Sequence, residues 1–104
     1  MITREIIEEM GRRLAEAFAP QRIILFGSCA RGEMTMDSDV DLLVVMPIEG
    51  NRLQLLVEMR RVLRGLGTPK DVLVVTPEEF SRDRDIAGTI SYPAAHEGEE
   101  LYAA

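Results

Sequence analysis

The amino-acid sequence predicts an α/β (α+β) fold in which a small mixed β-sheet of about three to four strands is flanked by helices. Three observations support this prediction. The length of 104 residues suits one small domain spanning residues 1–104. The hydrophobic fraction of 46% is sufficient for a buried core. Segments with helical periodicity alternate along the chain with short apolar runs that are typical of strands.

The first helix is predicted over residues 3–18, with Thr3 as its N-cap and Pro20 just beyond its end. Its apolar residues recur at helical spacing, namely Ile6, Met10, Leu14 and Phe18. Residues 22–26, RIILF, predict a short strand because they are apolar and partly β-branched and are followed at once by Gly27-Ser28. The expected order therefore begins with a helix and a strand.

The middle of the chain predicts a second strand and a second helix. A polar connection over residues 29–38, with one helical turn near its start, leads to the strongest strand of the chain, DVDLLVVM at 39–46. An amphipathic helix is predicted over 51–66, where apolar residues lie mostly along one stripe and two glycines mark the end.

The last third of the chain predicts a third strand and a final helical region. DVLVV at 71–75 is the strand, and Thr76-Pro77-Glu78-Glu79 forms a capping box with proline at the first helical position. The helical region that it opens is expected to continue, interrupted near Pro93, towards His96. Because the strands are apolar on both faces, both faces of the sheet must be covered.

The charge and the cysteine content exclude several classes of protein. The net charge of −6 argues against a free-standing nucleic-acid-binding protein, whose affinity would come from cations. A metal-filled cleft can nevertheless accept a nucleotide. The single cysteine, Cys29, cannot form an internal disulfide, which fits a reducing compartment. No apolar run reaches membrane-spanning length and the N-terminus does not resemble a signal peptide, so we expect a cytoplasmic protein that does not contact the membrane.

Two aspartates stand at the start of the strongest predicted strand. Asp39 and Asp41 are two residues apart, so both project from the same face, with their Cα atoms about 6.6 Å apart. Carboxylates in an apolar strand are unfavourable without a cation or hydrogen-bond donors. Magnesium prefers such hard oxygen ligands, and the pair is therefore a candidate Mg²⁺ site.

Asp71 begins the next predicted strand in the same way. If the two strands are neighbours, three carboxylates meet at one end of the sheet and can hold two metal ions about 4 Å apart. The alternative is that Asp39 and Asp71 only cap strand starts and that Asp41 forms one salt bridge. For Asp71 the two interpretations are equally supported, whereas a carboxylate inside VDLLVV has little structural reason to be there.

The turn after the first strand is a candidate phosphate site. Gly27 permits close approach of a phosphate to the backbone, and Ser28 offers a hydroxyl and an N–H group. The stretch LFGSCARGEMTMDSDVDLLVV places Gly27-Ser28 ten residues before Asp39-Val40-Asp41. With this spacing the chain resembles the DNA polymerase β-type nucleotidyltransferase superfamily, and most of all the minimal nucleotidyltransferases (MNT proteins). The resemblance covers nearly the whole chain.

The resemblance implies roles for six residues. Asp39, Asp41 and Asp71 are implied as metal ligands and catalytic residues, Asp71 also helping to deprotonate the acceptor hydroxyl. Gly27 and Ser28 are implied as contacts of the triphosphate. Arg31 is implied as a third nucleotide contact, with a salt bridge that orders the loop as an equally weighted alternative. The implied cofactors are two Mg²⁺ ions, or Mn²⁺, with ATP as substrate. Cys29 and His96 are given no role.

The resemblance also implies an antitoxin of a HEPN/MNT toxin–antitoxin module, which transfers AMP from ATP to a tyrosine of a partner HEPN toxin and releases pyrophosphate. A homo- or hetero-oligomer is compatible with this, since no acceptor-binding domain remains in 104 residues. One alternative is a non-catalytic antitoxin that neutralises the toxin by binding. Another is a small-molecule nucleotidyltransferase of the aminoglycoside-modifying kind, because an acidic cleft attracts cations.

Overall fold

Helices cover a central sheet on both faces in the computed structural model, which describes residues 2–35 and 37–104. The elements of this described part are, in chain order, α1 (Arg4–Phe18), β1 (Arg22–Phe26), β2 (Val40–Val45), α2 (Arg52–Val62), β3 (Lys70–Val75), α3 (Pro77–Asp83), α4 (Ser91–Glu97) and β4 (Glu99–Ala103). No helix in these residues is both long and apolar enough to cross a membrane.

The four strands found in the described residues form one mixed sheet in the order β3-β2-β1-β4. β1 pairs antiparallel with β2 and with β4. β2 and β3 are parallel, and α2 forms the crossover between them. The predicted mixed sheet is confirmed, and its two central strands are β1 and β2.

A separate apolar core lies on each face of the sheet, as the two-sided apolar pattern of the strands predicts. α1 and α2 cover one face, where Met10, Leu14 and Met59 are completely buried. Phe80 of α3 and Ala94 of α4 pack on the other face, against Ile24 and Leu43. Successive residues of each strand therefore alternate between the two cores.

Local signals in the sequence position the helices. The Thr3 side chain accepts a hydrogen bond from the N–H of Ile6 at 3.2 Å and caps α1. Thr76 and Glu79 form the predicted capping box at the start of α3. α2 ends at Val62, four residues before the predicted end, because the chain turns through Gly65 and Gly67, which have φ values of 85° and 65°.

The C-terminal part differs from the prediction in two ways. The final helical region is two short helices separated by residues 84–90, and Pro93 lies in the first turn of α4 and not at the break. Proline is tolerated there because the first N–H groups of a helix have no intrahelical acceptor. Residues 99–103 form β4, an edge strand for which the sequence predicts no element.

Candidate active site

Two aspartates from neighbouring strands lie side by side at one end of the sheet. In the one-to-one register of β2 and β3, Asp41 pairs with Asp71. Directly paired residues of adjacent strands project from the same face, so both carboxylates lie on the face covered by α3 and α4. Asp39 lies at the same end, immediately before the first residue of β2. The backbone thus brings the three predicted aspartates to one edge of the domain.

Gly27 packs directly against the carboxylate of Asp41. It follows the last residue of β1, Phe26, which pairs with Asp41 in the antiparallel register. A Cβ atom added to Gly27 would lie 3.3 Å from Cγ of Asp41 and would collide with its Oδ2. Gly27 also has a φ of 73°, which L side chains rarely adopt. Both the space and the backbone conformation therefore require glycine here.

The residues after Gly27 form the predicted helical turn. The carbonyl of Gly27 accepts hydrogen bonds from the N–H groups of Ala30 at 3.1 Å and Arg31 at 3.2 Å. The Cys29 thiol donates to the carbonyl of Asp39 at 3.3 Å, which links the turn to the segment that carries the aspartates. Burial, followed by the charge of Asp41, raises the pKa of Cys29, so the thiol stays neutral and acts as a packing group.

The electrostatics of the site centre on Asp41. Its pKa is raised first by burial and then by the negative charges of Asp71 and Asp39, while the positive charge of Arg31 acts in the opposite direction. The Asp41 carboxylate is therefore repelled by the negative charges of both other aspartates. A cation bound among the three would relieve this repulsion.

The side chains of this cluster are not gathered into a finished ligand set. Within residues 2–35 and 37–104, no three His, Cys, Asp or Glu side chains converge as metal ligands do. Asp39 and Asp71 are exposed, and Oδ1 of Asp71 lies 4.0 Å from Nη2 of Arg60. The donor chemistry and the backbone placement fit Mg²⁺, because three hard carboxylate groups share one edge and two of them are free to change rotamer.

A family comparison identifies the domain that carries this edge. The family model described as "Nucleotidyltransferase domain" matches residues 3–92, which include the Gly27 turn and all three aspartates. The chain belongs to the nucleotidyltransferase domain family. A search of curated proteins finds no match.

Several solved structures share this fold at low sequence identity. A protein from Sulfolobus solfataricus described as a nucleotidyltransferase is 22% identical, with a TM-score of 0.66, over 95% of this chain and 78% of that one. A toxin–antitoxin MntA–HpeT variant is 16% identical, with a TM-score of 0.67, over 92% and 72% of the two chains. A toxin–antitoxin with AMP-PNP is 18% identical, with a TM-score of 0.60, over 93% and 73%.

Arg31 of the nucleotidyltransferase domain forms ion pairs at the edge of the cluster. Its Nε is 2.5 Å from Oε1 of Glu33, and its Nη1 is 3.5 Å from Oε2 of Glu97. These contacts correspond to the salt-bridge alternative for Arg31. The contact of Arg31 with a nucleotide stays a prediction. Its guanidinium also lies close enough to Asp41 for the positive charge to oppose the rise in the pKa of that carboxyl.

Two neighbours of the site, Arg60 and Glu97, were not predicted. Arg60 lies in the last turn of α2 and Glu97 is the last residue of α4, so both reach the site only through tertiary packing. In the sequence each is an ordinary charged residue near a helix end, and both are exposed. His96 lies 2.9 Å from Asp85 and stacks on Tyr92, and these contacts give it no part in the carboxylate cluster.

Proposed function

We propose that this nucleotidyltransferase domain is a metal-dependent antitoxin enzyme that transfers AMP from ATP to a tyrosine hydroxyl of a partner HEPN toxin. The observation that carries the proposal is the direct pairing of Asp41 with Asp71 beside Gly27. A partly buried carboxylate beside two like charges has little structural benefit, whereas it serves a site that binds cations and polyphosphate.

Each predicted residue has a role in the proposed reaction. Asp39, Asp41 and Asp71 would hold two Mg²⁺ ions, or Mn²⁺. When bound, these ions supply charge neutralisation for the triphosphate and for the leaving pyrophosphate. The backbone at Gly27 and the Ser28 hydroxyl bind and orient the triphosphate, with Arg31 as a further phosphate contact.

The chemistry is an in-line displacement at the α-phosphorus. The acceptor oxygen forms a new O–P bond as the bond to pyrophosphate breaks, and the hydroxyl proton passes to the Asp71 carboxylate. Asp71 is suited to this because it is exposed and belongs to β3, an edge strand of the sheet. An acceptor on another protein can therefore reach it without crossing the domain.

The partner is inferred from the structural relatives. Both toxin–antitoxin relatives share this fold over more than 90% of the present chain, and one of them was solved with AMP-PNP. In the other, two aspartates spaced two positions apart are replaced by glutamate. A partner toxin with an exposed tyrosine would supply the acceptor.

Labelling of the partner tests the proposed function. The purified protein is incubated with Mg²⁺, ATP labelled in the α-phosphate and a HEPN-domain protein as the candidate toxin, and label is expected on a tyrosine of that protein. The Asp39→Asn, Asp41→Asn double variant should transfer no label and should not neutralise the toxin. Asp85→Asn is the matched control, because this exposed aspartate contacts His96 outside the cluster.

Three outcomes would contradict the proposal. Absence of label on the partner, with Mg²⁺ and ATP bound, would exclude this acceptor. Full neutralisation of the toxin by the double variant would favour an antitoxin that acts by binding alone. Pyrophosphate release that depends on a small cationic molecule and not on the toxin would instead indicate a small-molecule nucleotidyltransferase.

A further inference from the structure

The Arg31 guanidinium is held by carboxylates from two distant parts of the chain. Glu33 belongs to the same turn and contacts Nε, whereas Glu97 is 66 residues away and contacts Nη1. No described residue accepts a hydrogen bond from Nη2. Glu33 and Glu97 therefore engage Nε and Nη1, while the N–H groups of Nη2 stay available to a ligand.

The backbone at Glu97 is fixed by the glycine that follows it. A Cβ atom on Gly98 would lie 3.0 Å from the carbonyl oxygen of Leu25 and would collide with Ala94 and Ile24. The end of α4 therefore packs closely on β1, the strand that leads into the Gly27 turn. This contact sets where the Glu97 carboxylate can reach.

Helix stability does not explain an acidic residue at this position. Glu97 is the last residue of α4, and negative charge is unfavourable at the C-terminal end of a helix. Its side chain is about half exposed, so its ion pair with Arg31 contributes little to folding. A position that is unfavourable locally and directed at Arg31 suggests a role in the site.

We propose that Glu97, together with Glu33, is a positioning residue that holds the Arg31 guanidinium ready for the triphosphate. The inference rests on the proposed function. An arginine side chain loses much rotamer freedom when it becomes ordered on binding, so ordering it beforehand raises affinity. The alternative, in which the glutamates compete with phosphate for Arg31, makes the opposite prediction for nucleotide affinity.

Calorimetric titration with the Mg²⁺ complex of AMP-PNP separates these possibilities. Glu97→Gln is expected to weaken binding about two- to fivefold, the range of an exposed ion pair. Arg31→Ala should weaken it about tenfold or more. In the Arg31→Ala background, Glu97→Gln should have no further effect, because its action passes through Arg31. Glu16→Gln is the matched control, since it removes a remote exposed pair with Arg12.

Several outcomes would overturn the inference while leaving the proposed function intact. These are tighter or unchanged binding by Glu97→Gln, unchanged binding by Arg31→Ala, and an equal loss from Glu97→Gln with and without Arg31. The melting temperature of the nucleotide-free Glu97→Gln protein should match that of the native protein, which distinguishes positioning from a folding defect. Failure of the native protein to bind the nucleotide would instead contradict the proposed function itself.

Discussion

At the scale of single residues, Gly27 is subject to two independent constraints. Its φ of 73° is unfavourable for any residue with a Cβ atom, and that atom would also collide with Asp41. We expect Gly27→Ala to cost about 1–2 kcal/mol of unfolding free energy from the backbone alone, with a further loss from the collision. Urea denaturation measures the stability, and titration with the AMP-PNP complex measures the accompanying loss of nucleotide binding.

Gly50 provides the control for this substitution. It has a similar φ of 79°, but nothing lies within 4 Å of a Cβ atom built on it. Gly50→Ala should therefore show only the backbone penalty and should keep nucleotide affinity. Equal losses of stability in the two variants would show that the contact between Gly27 and Asp41 is unimportant.

At the scale of elements, α3 depends on its capping box. The Thr76 hydroxyl accepts from the N–H of Glu79 at 3.1 Å, and the Glu79 carboxylate accepts from the N–H of Thr76 at 2.9 Å. The helix has seven residues and places the buried Phe80 on the sheet. We expect Thr76→Ala to destabilise the protein by about 1–2 kcal/mol, measured by urea denaturation.

Glu78→Ala serves as the comparison for the cap, because Glu78 lies in the same first turn but makes no capping hydrogen bond. Its loss should cost less than about 0.5 kcal/mol. A Thr76→Ala variant as stable as Glu78→Ala would mean that packing of Phe80 alone fixes α3.

The elements also show which parts of the fold a sequence can predict. α1 and the first three strands carry strong local patterns and end within one residue of the predicted bounds. β4 has five residues, begins with two glutamates and becomes a strand only by pairing with β1. Its formation depends on a contact some eighty residues away in sequence, which no local pattern reports.

The same distinction applies to the candidate site. Each of the three aspartates stands at or near the start of a predicted strand, so the sequence predicts that they lie together if the two strands are neighbours, and the structure supplies that pairing. Arg60 and Glu97 could not be predicted, since they stand at helix ends whose direction depends on packing against the sheet. Local chemistry thus predicts the carboxylates but not the charges that surround them.

At the scale of the whole molecule, Asp41 lowers the stability of the metal-free protein. Its folded-state pKa is raised, above all by burial, so the folded protein binds this proton more tightly than the unfolded chain does. Folding stability therefore falls as the pH rises from the ordinary aspartate pKa through the raised value, and above that range the full loss remains. Below the ordinary value the effect disappears.

Thermal unfolding with and without ligand tests this balance. In EDTA at pH 7, Asp41→Asn should melt at a higher temperature than the native protein, with the difference vanishing in acid. Mg²⁺ and ATP at about 100 times the dissociation constant should stabilise the native protein by about 2.7 kcal/mol, or roughly 10 °C or more. The variant should lose this gain, and an unchanged melting temperature of the native protein would contradict a nucleotide site.

The pairing of Asp41 with Asp71 depends on the parallel register of β2 and β3, and the length of the crossover between these strands helps to set that register. Leucine and valine occupy both faces of β3, so sliding this strand by one position would still bury apolar side chains. The same slide would carry the Asp71 carboxylate through the sheet to the side of α1 and α2, away from Asp41. A single-residue insertion or deletion between residues 46 and 69 that shifts β3 by one position would therefore separate the carboxylates of the site while the core stays apolar. The protein would still fold but would lose its activity.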